Sequence, residues 1–426
     1  MKITDLNFDC LESCLQHLNI EELLNVADCN KELRHVAIYL IARTFKGRQV
    51  TIEFSRVFGN RSFLLTIDDN LWMGSLSLQF LRCCGDLVSG LKITWSKPNI
   101  VNRDLIIKYI NEYCPEFLTK MEFSYCKEGS LKGLTKPFKK VEKLKMIDTF
   151  PPEKKLSELF PNLREFRYQG WDCNLIPNEI IFTDHFPLLE HLTIFVQDWG
   201  KYYENVEILL RSHPQLKSLK GNIRLDVVVG SKNNLYANEH LQNLEKLHLS
   251  LKEKHFVQTI EERIQIKNLR ELVLHFEGRV FNRPTIIPLT SDKLESLEIK
   301  YFSHLKDTSI LTNSLIANYP SIKKFTLKSR RIMNDLEISK LLPLLKEIDF
   351  LWYNNCFTVD EVVSFVKEFR SLKKFQFKSL PEISLKNLIA HLGSAWSVSF
   401  KLYNKSPIRE EEFLGITIEL ATLIRT

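Results

Sequence analysis

Two cysteines and a histidine near the N-terminus are residues that bind metals, and their spacing is helical. Cys10, Cys14 and His17 fall three or four positions apart, so a helix would place all three on one face. A structural zinc site takes four ligands, commonly with closely spaced cysteine pairs, and no fourth ligand is apparent for this group. We therefore predict no metal site, and we interpret these cysteines as partly buried thiols.

The sequence contains no catalytic motif. It has no GxGxxG or GxxxxGKS/T loop for a nucleotide, no HExxH pair for zinc and no GxSxG serine nucleophile. Two histidines, His248 and His275, remain, and we interpret them as residues of a binding surface. We predict no catalytic residues, no cofactor and no enzymatic activity.

The cysteines and the N-terminus indicate the cellular compartment. The nine cysteines follow no disulfide or metal framework. Residues 1–9 carry acids and lack the apolar segment of a secretory signal. No run approaches the roughly 18 consecutive apolar residues that span a membrane. We expect reduced thiols in a cytoplasmic or nuclear protein that does not enter the membrane.

A recurring apolar pattern predicts the scaffold. The segment Leu163-Arg-Glu-Phe166-Arg-Tyr168 has apolar residues at its first, fourth and sixth positions. One match has no weight, because a chain that is 44% hydrophobic produces many by chance. The spacing is informative, since successive copies are 22 to 28 residues apart, a period typical of leucine-rich repeats. The copies begin at residues 141, 163, 189, 216, 244, 269, 294, 322, 345 and 372.

Prolines support this register. Five of the fifteen prolines stand two residues before the first apolar position of a repeat, namely Pro161, Pro187, Pro214, Pro320 and Pro343. Proline stops a helix and cannot donate to a central strand ladder. These prolines therefore predict the turn from helix to strand.

The repeat predicts an α/β fold, a leucine-rich-repeat solenoid of horseshoe form with its parallel sheet on the concave face and helices on the convex face. The second and third apolar residues of each copy would point inward, where neighbouring repeats bury them. The intervening residues would face outward and form a mixed surface suited to binding a protein. We predict substrate-binding residues at these outward positions and just beyond them: Arg167, Gln169, Lys220, His248, His275, Glu298, Lys300, Asp349 and Trp352.

Charge gives little support to a nucleic-acid partner. The chain carries +7, and residues 1–45, with four basic and seven acidic side chains, contribute −3, which leaves +10 for the rest. That charge is dilute, and acids such as Glu165, Glu245 and Glu271 are interleaved with it. We interpret the basic clusters at 136–140 and 328–331 as solvated lysines and expect no nucleic-acid partner.

Residues 1–46 differ from the repeats, because their apolar residues have helical spacing in three short segments. Asn19 and Glu22 predict a capping box that starts the second helix near Ile20. Asn30 is the predicted cap of the third helix. A unit of this size is too small for a sizeable core of its own, so it needs the solenoid or a partner beside it.

This segment resembles the F-box motif. The resemblance rests on Leu6-Asn-Phe-Asp-Cys-Leu11-Glu-Ser-Cys-Leu15-Gln-His-Leu18, on Glu22-Leu-Leu-Asn-Val-Ala27 and on Cys29-Asn-Lys31-Glu-Leu33. It departs from the motif at Asn7, where proline is usual, and at Asn30, which separates Cys29 from Lys31. An F-box followed by leucine-rich repeats resembles the FBXL-type substrate receptors of SCF cullin–RING ubiquitin ligases.

The resemblance implies that the helices dock on a Skp-type adaptor, which links them to cullin and RING subunits, while the repeats hold an unidentified protein substrate for ubiquitination. The matching adaptor-binding positions are Leu6, Asp9, Leu11, Leu15, Leu24, Val26 and Lys31. The alternative is a leucine-rich-repeat scaffold or inhibitor with no ligase role, in which the helices only close the first layer of the solenoid. The helices alone fit either interpretation.

The pattern divides the chain into three predicted regions. These are an F-box helical domain at 1–46, a repeat domain at 47–409 that is irregular to about residue 140, and a capping helix at 410–426. Irregular copies begin at Val88 and Leu118, and a last copy spans 395–400. The C-terminal region has an amphipathic pattern with acids in its first turn, which favours a helix that covers the final repeat.

Overall fold

The computed structural model divides the chain into two compact units, residues 1–216 and 217–426. The structure describes residues 6–45, 50–55, 62–67, 70–73, 77–95, 103–170, 184–196, 203–221, 223, 241–251, 264–276, 289–301, 319, 321–329, 347–352, 374–377, 390, 396–402 and 418–425.

Three helices open the first unit: α1 (Phe8–Leu15), α2 (Ile20–Cys29) and α3 (Lys31–Phe45). An asparagine side chain caps each of them. Asn7 Oδ1 accepts a hydrogen bond from Cys10 N–H at 2.9 Å, and Asn30 Oδ1 accepts one from Glu32 N–H at 2.7 Å. Asn19 and Glu22 form the predicted capping box. The two asparagines that depart from the F-box motif therefore satisfy helix N-termini.

The rest of the first unit alternates strands with helices or turns. Its described strands are β1 (Val50–Ser55), β2 (Ser62–Ile67), β3 (Asn70–Met73), β4 (Gly90–Thr94), β5 (Lys120–Ser124), β6 (Lys143–Ile147), β7 (Glu165–Gly170) and β8 (His191–Val196). Its further helices are α4 (Ser77–Cys84), α5 (Arg103–Tyr113), α6 (Leu156–Leu159) and α7 (Tyr203–Ser212).

The strands of the first unit confirm the predicted repeat register. Strand β1 pairs in parallel with β4, and each of β4 to β7 pairs in parallel with the next strand in sequence. The fourth positions of successive copies lie opposite one another: Leu91, Met121, Leu144, Phe166 and Leu192. Strand β2 runs antiparallel to β1 and to β3, so the irregular region holds a short antiparallel meander.

The second unit is built from the same parallel repeat. Its described strands are β9 (Ser218–Gly221), β10 (Lys246–Leu251), β11 (Ile264–Gln265), β12 (Glu271–Phe276), β13 (Leu289–Thr290), β14 (Ser296–Tyr301), β15 (Lys324–Ser329), β16 (Glu347–Trp352), β17 (Lys374–Phe377), β18 (Trp396–Leu402) and β19 (Ile418–Arg425). Leu247, Leu272, Leu297 and Phe325 lie opposite one another and are fully buried. Burial of each such side chain contributes about 1.5–3 kcal/mol.

A shared turn leads into these strands. In each turn, the backbone N–H of the first apolar residue of the repeat donates a hydrogen bond to the carbonyl three residues earlier. Leu163 N–H donates to Phe160 O in this way, at 3.2 Å. Pro161, Pro187 and Pro214 lie in these turns, as predicted, whereas Pro320 and Pro343 lie outside the described residues. The accepting residues are buried and form a second core row: Phe138, Phe160, Phe186 and His213 in the first unit, and Leu241, Ile266 and Ser291 in the second.

The C-terminus corrects one prediction. Residues 418–425 form strand β19, so a capping helix across 410–426 is wrong for this part, while 410–417 lie outside the described residues. Strand β19 runs antiparallel to β17 and to β18, and β18 is therefore not a further parallel repeat. Strand β17 pairs with β16 on one side and β19 on the other, which satisfies the backbone of the last repeat. Ile418, Thr422 and Ile424 are β-branched, which favours a strand.

Candidate functional site

The N-terminal helices pack against helix α4, which belongs to the same unit. Gln79 Nε2 of α4 donates to Leu24 O of α2 at 3.0 Å, and Arg82 of the same helix forms an ion pair with Asp28. The rings of Phe45 and Phe80 meet edge to face with their centroids 5.9 Å apart. Helices α2 and α3 therefore pack against α4, and α1 packs against α3, so this segment has the neighbour that its small size requires.

The structure separates the predicted adaptor-binding residues into two groups. Leu11, Leu15 and Leu24 are buried inside their own chain, with 5%, 6% and 1% of their surface exposed. The other positions are accessible: Asp9 and Lys31 are exposed, and Leu6 and Val26 are half-buried. A partner that docks here without rearranging the helices would contact the second group only.

Two exposed aromatic residues beside these positions were not predicted. Phe8 and Tyr39, 43% and 45% exposed, meet edge to face with ring centroids 5.4 Å apart. The Arg43 guanidinium lies 6.0 Å from the Tyr39 ring centroid and forms an ion pair with Glu12. Exposed aromatic and arginine side chains are enriched in protein interfaces. Phe8 and Tyr39 lie on different helices, and no local spacing relates them in the sequence.

The cysteines of α1 lie on the outside. Cys10, Cys14 and His17 are all exposed, so the interpretation of partly buried thiols is wrong for these two cysteines. Across the residues that the structure describes, no group of three or more cysteine, histidine or acidic side chains is arranged to hold a metal ion.

In the first unit, the outward face of the sheet carries a row of four charged residues followed by a threonine. Lys92, Glu122, Lys145, Arg167 and Thr193 lie opposite one another on successive strands. Lys145 Nζ forms an ion pair with Glu122 at 2.9 Å. Arg167 is exposed and forms no ion pair with a described residue, although the like charge of Lys145 lies directly opposite. Gln169, the second predicted residue of this unit, is half-buried on the same strand.

The second unit places the predicted residues Lys220, His248, Glu298 and Lys300 on its outward strand positions, all half-buried. Glu298 and Lys300 form an ion pair at 3.5 Å along one strand. Not every outward position is accessible, since Val273 is only 5% and Thr326 only 8% exposed. The outward face therefore offers separate polar positions between buried ones.

His248 lies in a basic environment. Burial lowers its pKa, and the positive charge of Lys220 lowers it further. Its Nε2 atom is 3.6 Å from Glu271 Oε1, which is beyond hydrogen-bonding distance. Burial acts to raise the pKa of Glu271, but its hydrogen bond to Lys246 and the charge of that lysine outweigh burial and lower it. The Nε2 atom of His248 is itself buried and has no hydrogen-bond partner among the described residues.

The remaining predicted residues follow the same register. His275 is half-buried and lies opposite Ser250, whose hydroxyl is buried without a hydrogen bond to any described residue. Asp349 and Trp352 lie on β16, opposite Thr326 and Ser329 respectively, and their side chains are outside the described part of the chain. The structure thus assigns the predicted surface to two units, Arg167 and Gln169 in the first and the rest in the second.

The sequence matches no protein-family model, and a search of curated proteins found no relative. Within the described ranges, no helix has the length and apolar character needed to cross a membrane.

Proposed function

We propose that this protein is the substrate-recognition subunit of an SCF-type ubiquitin ligase. Its three N-terminal helices dock on a Skp-type adaptor, and its repeats bind a protein substrate. The observation that carries the proposal is the combination of three capped helices, in the order that the F-box resemblance implies, with a parallel repeat solenoid directly after them.

The helix caps support this interpretation. Asn7 and Asn30 are the two points at which the sequence departs from the F-box motif, and both serve as N-caps rather than breaking a helix. The accessible motif positions Asp9 and Lys31, together with the aromatic pair of Phe8 and Tyr39, provide a mixed polar and aromatic surface.

The proposed mechanism is positional. The protein forms no covalent bond with its substrate. The helices hold the ligase and the outward strand residues hold the substrate, so substrate lysines are kept at a high effective concentration near the charged ubiquitin carrier.

Co-expression of the full chain with a Skp-type adaptor, followed by size-exclusion chromatography, tests the proposal. We expect a stoichiometric complex that is lost on Asp9→Lys with Lys31→Glu, and weakened on Phe8→Asp. Phe117→Asp is the matched control, because Phe117 is also 43% exposed but follows α5. Circular dichroism of each variant separates lost docking from lost folding.

A scaffold or inhibitor without a ligase role is the second candidate. It is favoured by the burial of Leu11, Leu15 and Leu24, because the helices have already covered their leucines within the chain. If the wild-type chain elutes separately from the adaptor, the ligase proposal is wrong and the helices serve to close the first repeat.

A further inference from the structure

A cavity of about 570 Å³ lies in the first unit, between helix α5 and the segment 132–136. None of the outward strand residues named above lines it. Its lining includes four cationic side chains, Arg103, Lys108, Lys132 and Lys136, and two acids, Asp104 and Glu112. From the sequence alone, Lys136 is interpreted only as one of the solvated lysines at 136–140.

The walls of this cavity are held in place by Asn111. Its Nδ2 donates to Gly133 O at 2.6 Å, and its Oδ1 accepts from the backbone N–H groups of Thr135 and Lys136, both at 3.1 Å. Gly133 has a φ of +90°, a backbone conformation that residues with a side chain rarely adopt. A Cβ atom at this position would lie 3.4 Å from Ile107 Cγ2. One side chain and one glycine therefore fix the position of Lys136 relative to α5.

The four cations differ in what neutralises them. Arg103 Nε lies 3.1 Å from Asp104 Oδ1, and Lys132 Nζ lies 3.8 Å from Glu153 Oε1. Lys108 and Lys136 are exposed and form no ion pair with any described residue. Lys108 on α5 and Lys136 on the segment beside it therefore both line the cavity without an acidic partner, together with the buried side chain of Ile107.

We propose that this cavity binds a phosphomonoester dianion between Lys108 and Lys136. Two ammonium donors match the charge of such a group, and charge-assisted hydrogen bonds to its oxygens are stronger than neutral ones. Asp104 and Glu112 interrupt the basic lining, so the cavity does not form the continuous positive surface that a nucleic-acid backbone requires, and a single phosphate fits its two lysines better.

The source of the phosphate is either a phosphorylated side chain of a partner protein or a soluble phosphomonoester. In both cases the chemistry at the two lysines is the same. The site does not depend on adaptor docking, and it stands or falls separately from the proposed ligase function.

Isothermal titration calorimetry on the full chain tests the site with three probes. These are O-phosphoserine, a short neutral peptide that contains one phosphoserine, and the same peptide with serine. We expect saturable binding of the phosphorylated probes only. Tighter binding of the phosphopeptide than of O-phosphoserine identifies a protein-borne phosphate, and equal binding identifies a soluble phosphomonoester.

Matched variants separate this site from general charge. Lys108→Gln with Lys136→Gln should weaken binding roughly tenfold or more, because both charge-assisted hydrogen bonds are lost. Lys139→Gln with Lys140→Gln removes the same charge from exposed lysines that do not line the cavity and should leave binding unchanged. Equal loss in both pairs, no binding of either phosphorylated probe, or tighter binding of a duplex oligonucleotide would overturn the proposal.

Discussion

The imidazole of His213 joins two successive repeats through the backbone of Phe186. His213 Nε2 accepts a hydrogen bond from Phe186 N–H at 2.9 Å, and Nδ1 lies 2.7 Å from Leu209 O. A carbonyl can only accept, so Nδ1 carries the proton and the ring is neutral. Burial lowers the pKa of His213 from its ordinary value of 6.5, the neighbouring His185 lowers it further, and the Leu209 bond and the charge of Asp184 act in the opposite direction.

This geometry predicts that the protein loses stability in mild acid. Below its ordinary pKa of 6.5 the unfolded histidine binds a proton that the folded one resists, so the free energy of unfolding falls as pH drops through 6.5. We expect the melting temperature to fall between about pH 7.5 and about pH 5.

The variant His213→Phe isolates this contribution. Phenylalanine occupies the equivalent position in three preceding repeats, at Phe138, Phe160 and Phe186. The variant should lose part of the pH dependence, and it should be less stable at neutral pH by about 1–3 kcal/mol because the buried Phe186 N–H loses its acceptor. An unchanged pH profile would show that other groups titrate instead.

Leu24 should contribute to folding rather than to docking. It is 1% exposed, so Leu24→Ala should lower the free energy of unfolding by about 2–5 kcal/mol through lost burial and a cavity. Leu105→Ala is the matched control, since Leu105 is 36% exposed on α5 and should change stability little. Chemical denaturation measures both. Equal effects at the two positions would contradict the burial of Leu24.

The cap at Asn30 should stabilise α3. Asn30→Ala removes the acceptor for Glu32 N–H and should cost about 0.5–2 kcal/mol of stability. Asn30→Asp keeps a side-chain acceptor at the helix N-terminus and should retain most of the stability that the cap contributes. Far-ultraviolet circular dichroism during thermal unfolding reports the difference, and equal melting of the alanine and aspartate variants would argue against the cap.

We expect Arg167, a predicted substrate-binding residue, to lower the stability of the fold. Like charges directly opposite on neighbouring strands are unfavourable, so Arg167→Glu, which places a carboxylate opposite Lys145, should stabilise the fold by about 0.2–1 kcal/mol. Arg164→Glu is the control, because Arg164 already pairs with Glu142 and Glu190 and its reversal should destabilise. Thermal unfolding at low salt gives the sign of each effect. An Arg167→Glu variant that is no more stable than the wild type would contradict the interpretation.

The repeat register could be predicted from the sequence because its cause is local and periodic. A strand buries alternate residues, so an apolar pair two positions apart, returning after 22 to 28 residues, predicts which residues lie opposite one another. The alignment of Leu247, Leu272 and Leu297 follows directly. The caps at Asn19 and Asn30 were equally local, since a cap bonds to backbone groups two or three residues away.

Whether the N-terminal leucines are buried could not be predicted from local sequence. Helical spacing at Leu11 and Leu15 indicates an apolar face but does not say whether that face packs within the chain or against another protein. Burial was decided by the helices that surround them, α3 against α1 and α4 against α2 and α3. A short apolar run such as 418–425 is similarly ambiguous between helix and strand, and its pairing with β17 and β18 decided for the strand.

The sequence by itself determined the repeat, its register, its turns and three helices with two of their caps, because each depends on neighbours within a few residues or on a fixed period. Only the tertiary structure decided which leucines are buried, that Phe8 meets Tyr39, and that Lys108 and Lys136 line one cavity. Each of these depends on the packing of separate elements, such as Phe8 and Tyr39, which are 31 positions apart, and local spacing in the sequence does not indicate it.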